Sequence, residues 1–146
     1  MNFRRNAVAP LVLLVGLLAG GASSNRSEGS RVWMSVGERR FAITLNDSAA
    51  AGAFAALLLP LTLDMEELNG NEKHAELPTP LPAKASQPGT IRNGDVMLYG
   101  SKTLVVFYKT FESSYPYTRL GRVDDPTHLA QALGPRGVRV TLSRKP

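Results

Sequence analysis

Cysteine is absent from this chain. No disulfide can staple it, and no lipobox thiol can carry a lipid anchor, so stability has to come from a packed core. Histidine is scarce. His74 and His128 are the only two, they sit on separate elements, and no CxxC or HxxxH spacing occurs. That pattern argues against a metal centre. No GxGxxG or other phosphate-cradling loop is present, so no cofactor is expected. The formal net charge is +5, yet the arginines are scattered and no basic run of five or six residues exists. A nucleic-acid footprint would be denser, so no nucleic-acid partner is expected. The one long apolar run, Ala7 to Ala19, falls short of the roughly 20 residues a membrane-spanning helix needs.

That run has a different meaning in its context. Arg4 and Arg5 precede it, and the small residues Gly20, Gly21, Ala22, Ser23 and Ser24 follow it. A basic head, a short apolar run and a small-residue exit form the layout of a secretory signal. Residues 1–22 are therefore expected to be a signal peptide, cleaved near Gly20-Gly21-Ala22. The Arg4-Arg5 pair matches a twin-arginine signal only in part, which favours the general secretory route. Residues 23–30 are polar and small and read as a flexible lead-in. The expected location is exported, periplasmic or secreted, with membrane contact only through the signal. The remainder, 31–146, is one domain's worth of chain.

Within it, period-2 alternation dominates. Val32, Met34 and Val36 alternate with Trp33 and Ser35, and Phe41, Ile43 and Leu45 with Ala42 and Thr44; Gly37-Glu38 joins them as a tight turn. Asn46-Asp47-Ser48 offers helix caps. A helix of about ten residues is expected from Ala49, with Phe54, Leu57 and Leu58 on its apolar stripe and Pro60 ending it. Leu61, Leu63 and Met65 then face one way and Thr62, Asp64 and Glu66 the other. Asn69-Gly70 is a strong hairpin turn, returning the chain as a strand over Glu72 to Leu77. Glu66 and Glu67, on opposite sides of their strand, cannot share a substrate. Pro78, Pro80, Pro82 and Pro88 mark an extended loop reaching Asn93.

The stretch from Gly94 to Val123 collects most of the aromatic residues. It reads as strands Asp95 to Tyr99, Thr103 to Lys109 and Tyr117 to Val123. Leu104 to Tyr108 is apolar on both faces and therefore central. Asp125 and Pro126 suit the cap and first position of a helix over Thr127 to Leu133, with Gly134 at its end. Val138, Val140 and Leu142 form a last strand. Eight short strands and two short helices favour a closed or nearly closed barrel.

The segments GDVMLYG and LVVFY resemble the two central strands of cyclophilins, and Leu120-Gly121-Arg122-Val123 resembles their Phe-Gly-Arg/Lys-Val stretch. GDVMLYGSKTLVVFY together with YTRLGRVDDP is similar to the small cyclophilin-like proteins of bacteria. The resemblance covers about Val32 to Leu142. It implies a mainly β fold, a closed eight-stranded barrel with two short helices. It also raises peptidyl-prolyl isomerisation as an activity, in which a guanidinium weakens amide resonance as an otherwise slow X-Pro bond twists. The family's arginine lies within Phe-His-Arg on the strand after the first helix. Here that strand reads LPLTLDMEEL, and no arginine occurs between Arg40 and Arg92. The Asn-Gly-Ser-Gln-Phe-Phe segment is also missing.

No catalytic residue is assigned. A Ser101, His128 and Asp124 trio can be assembled only on paper, and Asp124-Asp125 reads as helix capping rather than a carboxylate dyad. The remaining candidates are Tyr99, Ser101, Phe107, Tyr115, Tyr117 and Arg119, an aromatic groove with a polar handle. The expected function is a non-catalytic module binding a peptide segment or small molecule, with Arg119 pairing with a carboxylate or carbonyl. The alternative is a peptidyl-prolyl isomerase with a non-standard site.

Overall fold

The computed structural model describes residues 30–57 and 59–146. The expected signal peptide and all of the lead-in except Ser30 lie outside the described residues, as does Leu58.

Among the described residues, ten strands and two helices follow in order: β1 Arg31–Val36, β2 Arg39–Leu45, α1 Ala49–Ala55, β3 Leu61–Leu68, β4 Glu72–Glu76, β5 Gly89–Ile91, β6 Asp95–Tyr99, β7 Thr103–Phe107, β8 Phe111–Ser113, β9 Thr118–Val123, α2 Leu129–Leu133 and β10 Val138–Ser143. Eight of the strands close into an antiparallel barrel in the order β1-β10-β3-β4-β7-β6-β9-β2. These are the eight strands legible in the sequence. Closure leaves no unpaired sheet edge to aggregate.

Inward-facing residues of every barrel strand fill the interior, among them Met34, Ile43, Met65, Val106, Leu120 and Leu142. Phe54 of α1 and Leu129 and Leu133 of α2 join the same core. Burial of this continuous apolar interior is what stabilises a chain that has no disulfides.

Both helices are shorter than their patterns predict. Ser48 caps α1, its Oγ accepting from the Ala51 N–H at 3.1 Å. The helix runs seven residues, because the Leu57 N–H turns back to the Phe54 carbonyl in a tighter i−3 bond and tucks Leu57 into the core. At α2, Asp125 does accept from the Thr127 N–H, at 3.1 Å, and from its hydroxyl. Those bonds build a separate turn, closed by the Leu129 N–H to the Pro126 carbonyl, and the helix starts only at Leu129.

The proline-rich segment is not structureless. Its last part forms β5, which pairs with β8 in a small two-stranded sheet. Ser86 exchanges two backbone hydrogen bonds with Tyr117, each 3.0 Å. Neither β5 nor β8 was legible, because three residues of alternation are too few to distinguish a strand from a loop.

Candidate functional site

Side chains on the outside of the barrel form rows set by strand register. Leu68 lies opposite Glu72, and Glu72 opposite Phe107. Glu66 lies opposite His74, His74 opposite Val105, Val105 opposite Met97, and Met97 opposite Arg119. Glu76 lies opposite Thr103, and Thr103 opposite Tyr99. The hairpin that aligns β3 with β4 turns at Asn69 and Gly70, both at positive φ (56° and 67°), as a type I′ turn requires.

These rows floor a half-open trough of about 740 Å³. Asp64, Glu66 and Leu68 come from β3, Glu72, His74 and Glu76 from β4, Thr103 and Val105 from β7, and Tyr99 from β6. Tyr115 and Tyr117, from the segment between β8 and β9, complete the wall. Three large apolar side chains stand exposed among the described residues: Leu68 (45%), Tyr99 (48%) and Tyr115 (64%). All three line this trough.

The aromatic side rests on a small second core of Ile91, Met97, Val105, Phe107 and Tyr117, with Phe111 against it. Phe107 meets Tyr117 edge to face with ring centroids 5.5 Å apart, and Tyr99 leans on Tyr117 at 5.7 Å. Such pairs hold the rings in place. The exchange with Ser86 fixes the Tyr117 backbone. Burial pushes the Tyr117 phenol up to about 12, with help from the charge of Glu72 and from Tyr99 and Tyr115. Tyr117 therefore presents a neutral O–H at ordinary pH. The Glu72 carboxyl is also raised, first by burial. His74 pulls it back down, Glu67 adds to the rise, and a hydrogen bond from Asn69 partly offsets it.

Of the six candidates from the sequence, the structure gathers four. Tyr99, Tyr115 and Tyr117 line the trough, and Phe107 lies fully buried beneath it. Ser101 lies elsewhere, on the turn between β6 and β7, where its carbonyl accepts from the Leu81 N–H at 2.7 Å. Arg119 shares the outer face with Tyr117 but does not line the trough. Its guanidinium donates to Asp95 at 3.4 Å and to the carbonyls of Pro88 and Thr90 at 3.2 and 3.5 Å. Arg119 thus fastens the proline-rich segment, and its charge is spent on the nearly buried Asp95.

The carboxylates and His74 were not picked out as site residues. A signal did exist: alternation already placed Thr62, Asp64 and Glu66 on the face away from the core. Asp64 is held by Arg139, whose Nε donates at 2.7 Å and whose charge lowers the carboxyl from its usual range. Glu67, on the other side of β3, belongs to a different cluster with Lys73 and Tyr108.

Asp124 and His128 share a separate cavity with Arg39 and Arg40, and Ser101 does not line it. Asp124 instead accepts from Thr44 and pairs with Arg31 at 3.5 Å. Among the described residues, no three His, Asp or Glu side chains are grouped so as to hold a metal ion.

A family model described as the cyclophilin-like family matches residues 34–143. The chain belongs to the cyclophilin-like family. The match runs from within β1 to the end of the last barrel strand, β10, as the resemblance of the two central strands and the Leu-Gly-Arg-Val stretch implied. Comparison with curated proteins and with solved structures returned no match. On β3 of this cyclophilin-like domain, the outward positions that border the trough are Asp64, Glu66 and Leu68. Neither lysine nor arginine lines the trough.

Proposed function

We propose that this cyclophilin-like domain is a binding module that holds a peptide segment in the trough without covalent chemistry. One observation carries the reading: Leu68, Tyr99 and Tyr115, the large apolar side chains left exposed among the described residues, converge on one concavity. Exposing such groups is unfavourable in water, and their clustering in a cleft marks a surface kept for a ligand. The volume lies within the usual range for ligand sites, about 300–1,000 Å³. The aromatic wall supplies area at low entropic cost, and the Tyr117 hydroxyl supplies a directional donor.

Proline isomerisation would ask for a cationic donor over the bound amide. The trough lining offers only carboxylates, a histidine and neutral groups. The test has two arms. Titration of a proline-containing peptide library should shift NMR resonances of Tyr99, Tyr115 and Val105, and a coupled assay on a proline tetrapeptide should stay at the uncatalysed rate. Peptide shifts confined to other faces of the barrel would remove the module from the trough. Turnover above background would make it an enzyme.

The same reading places the module outside the cytoplasm, on the strength of Arg4-Arg5, the apolar run and the small residues that follow. N-terminal sequencing of the protein from its native host should begin close after Ala22. A start at Met1 in a cytosolic fraction would refute export.

A further inference from the structure

The lining of the trough has a charge that the rest of the chain does not share. The chain carries a formal +5, with 17 basic residues against 12 acidic ones. Four of those acidic residues, Asp64, Glu66, Glu72 and Glu76, line this single cavity, and neither lysine nor arginine does. Only Asp64 has an arginine bonded to it, and Arg139 lies on the neighbouring strand, outside the lining. Glu66 has only a 4.0 Å approach from His74. Glu72 is 94% buried, since only 6% of it is exposed, and its hydrogen-bond partner is the neutral amide of Asn69. A buried carboxylate without a cation is unfavourable, and a positive charge entering beside it relieves that cost. Across the trough stand three tyrosine rings, whose faces attract cations.

Building on the peptide-binding reading, we propose that the trough selects a basic peptide segment. Its lysine or arginine side chain would lie between Tyr99, Tyr115 and Tyr117 on one side and Glu66 and Glu72 on the other. The carboxylates take the ammonium or guanidinium, and the rings cover its methylene stem and its π-facing side. A peptide fits better than a free amine because the trough is half-open and the Tyr99 and Tyr115 rings on its rim are 48% and 64% exposed. A site built for a small molecule would enclose about 70–90% of it. The ligand sign is opposite to that expected from Arg119, because Arg119 is already committed to Asp95 and the proline-rich segment.

Three fluorescent decapeptides of one Gly/Ser/Pro frame test this, differing only in two central residues: lysine, norleucine or glutamate. Fluorescence anisotropy with the full protein should rank lysine above norleucine by about tenfold and norleucine above glutamate, with the gap narrowing as salt rises. Glu72→Gln and Tyr115→Ala should each weaken the lysine peptide about three- to tenfold, and Glu72→Gln should weaken the norleucine peptide by a smaller factor than the lysine peptide. If Glu72→Gln does not fold, Glu66→Gln on the exposed rim carries the same prediction. Equal binding of the three peptides overturns the charge selection and leaves the binding module standing. Absence of binding by all three, with no trough resonance shifted, overturns both. Displacement of the lysine peptide by spermidine at equal concentration would assign the site to free polyamines and overturn the peptide occupant.

Discussion

Lys73 is wholly buried at 0% exposure, yet every donor of its ammonium is used. It donates to Glu67 at 3.1 Å and to the carbonyls of Gly134 and Arg136 at 2.7 and 2.6 Å. Its charge also lies 5.2 Å from the centre of the Tyr108 ring. Glu67 completes the cluster by accepting from the Tyr108 hydroxyl and the Gly70 N–H. Burial alone would push the Glu67 carboxyl up; the bonds from Tyr108, Gly70 and Lys73 outweigh it and hold the carboxyl down. Lys73→Met should therefore destabilise the fold by about 3–5 kcal/mol, because it leaves a carboxylate and two carbonyls short of a donor. Urea denaturation measures that loss, and a change under about 1 kcal/mol would mean that water replaces the ammonium. Glu72 behaves in the opposite way. Its folded-state carboxyl is raised above the ordinary 4.5, so its contribution to stability is full below that value and is lost as pH rises through the folded value. Glutamine has no such titration. Glu72→Gln should gain stability relative to the unmodified chain between about pH 4 and about pH 7, as read by urea midpoints at the two pH values.

Strand β9 shows how one element sets the geometry of several others. Val96 pairs with Gly121 and Met97 with Arg119, so Leu120 is the extra residue of a bulge and drops into the core. Gly121 meets β2 so closely that a Cβ would lie 2.3 Å from the Thr44 carbonyl oxygen and 2.9 Å from the Leu45 Cα. Both neighbours are backbone and cannot move aside cheaply. This gives a physical meaning to the Leu-Gly-Arg-Val stretch: the glycine is where two barrel strands touch. Gly121→Ala should cost about 1–3 kcal/mol, with the thermal midpoint as the measurement. A neutral outcome would show that β2 and β9 can separate without opening the barrel. The segment from Leu77 to Ile91 acts as a strap that leaves the barrel core at Leu77 and Leu81 and ends in the second core at Ile91. Leu77 and Leu81 anchor it to the β6–β7 turn, Lys84 donates to Thr118, Ser86 pairs with Tyr117, and Arg119 holds its far end. The exchange with Ser86 ties the Tyr117 end of the aromatic wall to the strap.

In the molecule as a whole, the groups that hold the fold stand apart from the trough. The closed interior and the Lys73 cluster hold the barrel, while the trough lies outside it on four adjoining strands. The double variant Tyr99→Ala/Tyr115→Ala should leave the unfolding free energy within about 0.5 kcal/mol, since the two rings are 48% and 64% exposed. It should nevertheless lower affinity for the lysine peptide more than either single change. A large loss of stability instead would show that the exposed rings brace the fold. Much of this organisation was readable beforehand. Alternation marks β1, β2, β3 and β10, because inward and outward residues must alternate along any strand with one buried face, while the hairpin turn marks β4 and the run from Gly94 to Val123 reads as β6, β7 and β9. Asn69-Gly70 announces its hairpin, because few residue pairs accept two positive φ angles. Local signals also set the outward face of β3, and hence which of its carboxylates leave the core. Three things depended on long-range pairing, to which local sequence is blind. Antiparallel pairing of β4 with β7, and β7 with β6, puts Tyr99 in one row with Glu76, Thr103 between them, across sequence gaps that no periodicity spans. The strap arises from bonds between Ser86 and Tyr117 and between Pro88 and Arg119, which consume the one arginine that seemed free to meet a ligand. The trough's negative sign follows from both: the sequence lays down carboxylates and tyrosines about twenty to fifty residues apart, and only closure of the barrel sets them face to face.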